Sequence, residues 1–111
     1  MTVQTLIDKL GLSVFHLEDP DQTVSCGYCG DLLSWVMGRA GTDSMWFTIM
    51  SNVNVAAVAA LSDVACVTLT ENVSPDPDLL ARAKAQGITL LGTSRGTYDA
   101  AVALSEALKG V

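Results

Sequence analysis

The feature that most constrains the fold is a regular alternation of strand and helix patterns from residue 45 onwards. Apolar segments at residues 45–50, 64–69 and 88–91 predict three strands, and each is followed by a helical pattern. Such alternation is typical of βαβ units around a largely parallel sheet. Because crossover connections are right-handed, we expect the strand-to-helix turns to meet at one edge of that sheet. The sequence therefore predicts the α/β class.

The three helices of this region have recognisable ends. A short Ala-rich helix is predicted over residues 55–61. The next begins with Asp76 as N-cap and Pro77 in the first helical position, and Gly87 ends it. The last follows residue 97, and its apolar face is predicted to bury Tyr98 and Leu104 among others.

The first part of the chain predicts a helix and two strands. Thr2 is a suitable N-cap for a helix that reaches residue 10 and ends at Gly11. Strands are predicted over residues 12–17 and 23–26.

A glycine-rich segment follows at residues 27–30 and leads directly into an amphipathic helix predicted over residues 31–40. We interpret the segment as a tight turn, with Asp31 as the N-cap of the helix. Helix N-termini present unpaired N–H donors, so the junction between the glycine-rich segment and the helix is also a candidate ligand site. A carboxylate there repels phosphate, however, which favours a structural role for Asp31.

Length, composition and charge narrow the function. At 111 residues, of which 50% are hydrophobic and 16% charged, the chain is expected to form one domain over residues 1–111. The net charge of −6 argues against nucleic acid as a partner. The N-terminus lacks the pattern of a signal peptide, and no apolar run is long enough to span a membrane, which predicts a cytoplasmic location. The three cysteines are then expected to be thiols.

Cys26 and Cys29 form a C-x-x-C pair. A thioredoxin-like site needs its first cysteine at a helix N-terminus, whereas the helix here is predicted to begin after the second. A zinc or iron–sulfur site needs four ligands, and the remaining cysteine lies in a predicted core strand. Ordinary thiols are the favoured interpretation; a redox or metal role shared across a dimer is the alternative.

Polar residues at two predicted strand-to-helix turns are the best candidates for binding a small anion. Asn52 and Asn54 follow one strand, and Thr93, Ser94 and Arg95 follow another. Helix N-termini bind anions through backbone N–H groups, and an arginine strengthens such a site. Helix capping is the competing interpretation for the two asparagines.

The helix over residues 31–40 is the candidate interface. Trp35 is predicted to lie between the apolar and polar sides of this helix, where an aromatic side chain favours protein contacts. We predict that Val36, Met37 and Arg39 belong to the same surface and that this surface binds a second copy of the chain. No nucleophile is paired with a general base and no phosphate-binding loop is present, so we predict no enzymatic activity and no intrinsic metal.

Several segments of the chain carry a resemblance to a known family. They are residues 27–28, 31–37, 46–58, 61–67, 75–76 and 83–88. In these segments the chain resembles the DRTGG domain family and is similar to the N-terminal domain of HPr kinase/phosphorylase. The namesake motif itself does not occur in the sequence, which implies a divergent, free-standing member.

The resemblance implies a three-layer α/β sandwich with a largely parallel sheet, often dimeric and used in regulation or assembly. Relatives lie beside CBS domains in regulated pyrophosphatases, where neighbouring domains bind adenine nucleotides. Short members are associated with iron-only hydrogenase and NADH-linked redox gene clusters. These relations predict a regulatory or interaction module, with a homodimer, a redox-enzyme or regulatory protein as partner. The alternatives are an adenine-nucleotide sensor and a small redox or metal carrier.

Overall fold

The computed structural model describes residues 1–110, which form five helices and five strands. In chain order the elements are α1 (Val3–Leu10), β1 (Ser13–His16), β2 (Cys26–Cys29), α2 (Leu33–Arg39), β3 (Ser44–Thr48), α3 (Asn54–Ser62), β4 (Cys66–Leu69), α4 (Pro77–Gln86), β5 (Leu90–Gly92) and α5 (Thr97–Lys109).

The strands form one sheet in the order β1-β5-β4-β3-β2. The four strands β2 to β5 are parallel, and β1 pairs with β5 in the antiparallel direction. Every residue of the three inner strands is buried. The alternation of elements thus predicted the α/β class and the largely parallel sheet correctly.

Helices cover the sheet on both faces and make it a three-layer sandwich, as expected. On one face Phe47 of β3 packs in a cluster with Leu6 of α1 and Leu104 of α5. On the other face Trp46 packs in a second cluster with residues of α2, α3 and α4. Successive strand side chains alternate between faces, which is why the neighbours Trp46 and Phe47 serve opposite cores.

Both ends of α1 and both ends of α4 agree with the sequence patterns. The Thr2 hydroxyl accepts a hydrogen bond from the Thr5 N–H, and Gly11 ends α1 in the left-handed conformation. Helix α4 begins with Asp76 and Pro77 in the predicted positions, although the Asp76 side chain makes no capping hydrogen bond. Gly87, with φ of 69°, ends α4.

The glycine-rich segment is a strand, and its prediction as a turn is wrong. β2 occupies residues Cys26–Cys29 and pairs Tyr28 with Trp46 of β3. A Cβ on Gly27 would lie 2.8 Å from a methyl carbon of Leu104, so α5 lies directly over this strand. The glycine therefore permits close packing of a helix on the strand, rather than a reversal of the chain.

Two helix predictions also need correction. Helix α2 begins at Leu33, with Leu32 and not Asp31 in the N-cap position. In α5 the buried face contains Ala100, Leu104 and Ala107, whereas the Tyr98 side chain is 79% exposed. An aromatic residue in the first turn of a helix was expected to face inward, but the rotation of α5 on the sheet places it in solvent.

Candidate functional site

The carboxyl ends of β3, β4 and β5 lie at one edge of the sheet because these neighbouring strands are parallel. The segments that follow them are residues 49–53, 70–76 and 93–96. Ligands of open α/β sheets bind at this type of edge. The two turns that the sequence analysis selected, after β3 and β5, are the outer two of these segments.

The segment after β4 lies between the other two and is hydrogen-bonded to both. The Glu71 N–H donates to the Arg95 carbonyl at 2.9 Å, and the Asn72 N–H donates to the Thr93 carbonyl at 3.0 Å. On the other side, the Asp76 N–H donates to the Ser51 carbonyl at 3.0 Å. The candidate residues are therefore held in one connected edge, although the segment after β4 separates the Asn52 turn from the Arg95 turn.

Asn52 and Asn54 occupy different positions at the start of α3. The Asn52 Oδ1 accepts a hydrogen bond from the Asn54 N–H at 2.9 Å, an Asx turn that satisfies one donor at the helix start. The N-cap position belongs to Val53, whose side chain makes no capping bond. Asn54 is the first helical residue and its side chain is exposed, so its interpretation as an N-cap is wrong.

In the turn after β5, Thr93 is buried and its Oγ1 accepts a hydrogen bond from the Arg95 N–H at 3.2 Å. Ser94 is exposed. The Arg95 guanidinium reaches across to α1, where its Nη1 donates to the carbonyl of Leu10 at 2.6 Å. Arg95 thus stabilises the C-terminal end of α1, where a cation is favoured by the helix dipole. This role links residues 85 positions apart and has no local sequence signal.

Glu71 is a member of this edge that the sequence analysis missed. Its Oε1 lies 3.3 Å from the position that a Cβ of residue 96 would occupy, next to the N-cap of α5. The carboxylate is therefore close to the positive end of that helix, where it is electrostatically stabilised. Glu71 and Asn72 both have φ of 60°, a conformation more common for asparagine than for glutamate. An incoming anion at the start of α5 has to compete with this carboxylate.

Asp31 connects the ends of two strands instead of capping α2. Its Oδ1 accepts hydrogen bonds from the Thr48 hydroxyl at 2.7 Å and from the Ile49 N–H at 3.0 Å. Next to it, the indole N–H of Trp46 donates to the Gly30 carbonyl at 2.9 Å. The segment between β2 and α2 is thereby fixed to the end of β3, which makes Asp31 a structural residue of the same sheet edge.

The two cysteines of the C-x-x-C pair lie on opposite faces of β2. Three residues along an extended strand span about 10 Å, beyond the roughly 7 Å between Cα atoms that a disulfide allows. Burial, and then the nearby Asp31 charge, raise the pKa of the Cys29 thiol, which disfavours the reactive thiolate. Within residues 1–110, no group of three histidine, cysteine or acidic side chains is placed to hold a metal ion.

Helix α2 presents an apolar surface to solvent. The side chains of Leu32, Trp35 and Met37 are 58%, 54% and 50% exposed. The Arg39 guanidinium stacks on the Trp35 ring, 4.0 Å from its centroid. Val36 is fully buried against the sheet, so its prediction as an interface residue is wrong. We call Leu32, Trp35, Met37 and Arg39 the α2 surface.

Comparison with known proteins gives the family. The family model of the DRTGG domain matches residues 44–107, more than half of the chain. The chain belongs to the DRTGG domain family. The match covers β3 to α5, and thus the three parallel strands whose ends form the candidate edge. The segments at residues 27–28 and 31–37, which also suggested the resemblance, precede the matched range. No curated protein matches this DRTGG domain.

A solved structure shares the fold. It contains the CBS and DRTGG domains of the regulatory region of Clostridium perfringens pyrophosphatase, complexed with the activator diadenosine tetraphosphate. The similarity has a TM-score of 0.72 at 12% sequence identity, and it covers 93% of this chain and 45% of that one. This DRTGG domain thus corresponds to less than half of the solved chain. None of the helices in residues 1–110 has the length and apolar character needed to cross a membrane.

Proposed function

We propose that this DRTGG domain is a non-catalytic regulatory or protein-interaction module that forms a homodimer through the α2 surface. The observation that carries the proposal is the exposure of Leu32 at the N-cap of α2 and of Trp35 and Met37 within this short helix. Large apolar side chains clustered at a surface favour protein contacts. The regulatory role is supported by the family and by the similar fold in a pyrophosphatase regulatory region.

Charge also favours the α2 surface as the contact between two copies. Each copy has a net charge of −6, so two copies repel wherever acidic surfaces meet. The α2 surface contains three apolar side chains and one arginine, with no acidic member. A symmetric dimer buries the same patch on both partners, which lets this surface serve as its own complement. A redox-enzyme partner and a cytoplasmic location stay predictions.

Trp35→Glu is expected to weaken dimerisation at least about tenfold, because it removes an aromatic contact and places two like charges at the interface. Sedimentation equilibrium over a concentration series measures the effect. Tyr98→Glu is the matched control, since it replaces a 79% exposed aromatic residue outside the α2 surface with the same acid. A wild-type protein that is monomeric at micromolar concentration contradicts the proposal, as does an equal effect of the two variants.

An adenine-nucleotide or small-anion sensor is the second candidate function. It is supported by the joining of the Asn52 and Arg95 turns at one sheet edge, and by the nucleotide activator in the structurally similar regulatory region. Asn52, Asn54, Thr93, Ser94 and Arg95 are the proposed binding residues. Glu71 lies beside the start of α5 and is expected to limit the affinity.

Arg95→Ala is expected to weaken ATP binding by roughly tenfold, the cost of a charge-assisted hydrogen bond. Isothermal titration calorimetry measures it. Arg82→Ala is the control: it removes the same charge from an exposed position on α4 and is expected to have little effect on ATP binding. Glu71→Gln is expected to strengthen binding, because the competing carboxylate loses its charge. Equal affinities of wild type and Arg95→Ala contradict this site, and the absence of heat with wild type contradicts the sensor function.

A further inference from the structure

The two edges of the sheet differ in their protection. The outer strand β1 is irregular, since its register with β5 shifts between Val14 and His16, and an acidic turn follows it. Irregular or charged edges discourage pairing with another chain. The outer strand β2 pairs regularly with β3 and contains neither a charged residue nor a proline. β2 is therefore the edge suited to receive another strand.

The hydrogen-bonding groups that β2 offers can be identified. The Gly30 N–H donates to the Phe47 carbonyl on β3. Because backbone groups alternate along a strand, those of Tyr28 also face β3, and those of Gly27 and Cys29 face outward. Within residues 1–110, no other strand lies beyond this edge. Gly27 and Cys29 together provide two outward donors and two outward acceptors.

The sequence of this strand is complementary to itself. When two copies run antiparallel about a two-fold axis at Tyr28, Gly27 of each faces Cys29 of the other, and both have the outward groups needed for a hydrogen-bonded pair. Cys26 then faces Gly30, and Tyr28 faces its own copy in the narrower, non-hydrogen-bonded position. Each cysteine thus faces a glycine, although the Tyr28 ring of the same copy lies over Gly30. The two tyrosines form a favourable cross-strand pair.

The space beside β2 also allows a second strand. A groove of about 500 Å³ runs between β2 and α5, with Gly27, Cys29, Phe47 and Leu104 in its lining. The Cys29 side chain of a paired copy would lie beside Gly27, which has no side chain of its own, at the margin of the contact between Gly27 and Leu104.

We propose that two copies of this chain join through antiparallel pairing of their β2 strands, centred on Tyr28, to form a continuous ten-stranded sheet. The inference rests on the proposed homodimer and specifies its geometry. Four inter-strand hydrogen bonds form, two from each pair of Gly27 with Cys29. Isolated peptides that add to the same edge are the competing occupant, and they leave the chain monomeric.

Cys29→Pro is the decisive variant. Proline removes an outward N–H and adds bulk at the edge, while the bonds between β2 and β3 stay intact. Sedimentation equilibrium is expected to show dimerisation weakened at least about tenfold, with wild-type affinity in Cys29→Ser. Cys29→Lys, which adds an edge charge, supplies the same test should the proline variant fail to fold. If these variants dimerise normally while Trp35→Glu does not, strand pairing is overturned and the α2 dimer stands. A monomeric wild type overturns both.

Cross-linking tests the register. Pairing centred on Tyr28 places the two Cys29 Cα atoms about 7–8 Å apart, on one face, and the two Cys26 Cα atoms more than about 13 Å apart. A bis-maleimide with a spacer of about 8 Å, which adds one thiol to each of its two rings, is expected to link Cys26→Ser into a covalent dimer and to leave Cys29→Ser mostly unlinked. Cys66 is buried and does not contribute. Equal or reversed yields overturn the proposed register.

Discussion

Trp46→Ala is expected to lower the free energy of unfolding by about 4–5 kcal/mol, the upper range for removing a large buried aromatic side chain. The Trp46 side chain is fully buried, and its indole N–H donates to the Gly30 carbonyl at 2.9 Å. The change removes both the packing of the second core and the bond that holds the β2–α2 segment. Domains of this size have a total stability of about 5–15 kcal/mol, so the variant is expected to be close to unfolding.

Chemical denaturation measures this effect, and the other tryptophan provides the control. Trp35→Ala removes the same atoms from a side chain that is 54% exposed, and is expected to lower the free energy of unfolding by about 1 kcal/mol or less. The comparison should be made at protein concentrations below the dimer dissociation constant, since Trp35 belongs to the proposed interface. Similar losses in the two variants contradict the placement of Trp46 in the core.

The second large effect is a loss of stability in alkaline solution that depends on Cys66. Burial raises the pKa of the Cys66 thiol from its ordinary value of 9.0 to about 12. Above pH 9 the unfolded chain loses this proton while the folded chain retains it, so unfolding becomes more favourable as pH rises toward 12. At about 1.4 kcal/mol per pH unit, the expected contribution is about 3 kcal/mol at pH 11.

Cys66→Ala separates this contribution from those of tyrosine and lysine side chains. The free energy of unfolding of both proteins is measured by denaturant titration from pH 8 to pH 11. The wild type is expected to lose about 3 kcal/mol more than the variant over this range. Parallel pH profiles contradict a buried, protonated Cys66. Thiol labelling gives a further check, because Cys26 and Cys29 are exposed and Cys66 is not.

The parts of the fold that follow from local patterns were predictable. Strand β4 is a short apolar run buried on both faces, and Pro77 with Gly87 marks the two ends of α4. These signals depend on residues that are neighbours in the chain, so they indicate the same element whatever tertiary structure surrounds it. The shared edge of β3, β4 and β5 was predictable as well, because the carboxyl ends of parallel strands lie at the same edge of a sheet.

The candidate site was predicted only in part. The turns containing Asn52 and Arg95 lie at one edge of the sheet, as expected, yet Glu71 was missed and the Arg95 side chain binds the Leu10 carbonyl. Spacing along the chain identifies which turns share an edge. It does not show which charged groups from other elements enter the same space, since such contacts join distant residues.

The sequence by itself determined the class of fold, the order of its central elements and the family to which the chain belongs. Hydrophobic periodicity and capping residues were sufficient because each acts over a few neighbouring positions. The tertiary structure alone decided the roles of Gly27 and Asp31. Gly27 allows α5 to approach β2, and Asp31 binds the end of β3. In isolation the same residues favour a turn and a helix cap, and close packing between distant elements overrides those local preferences.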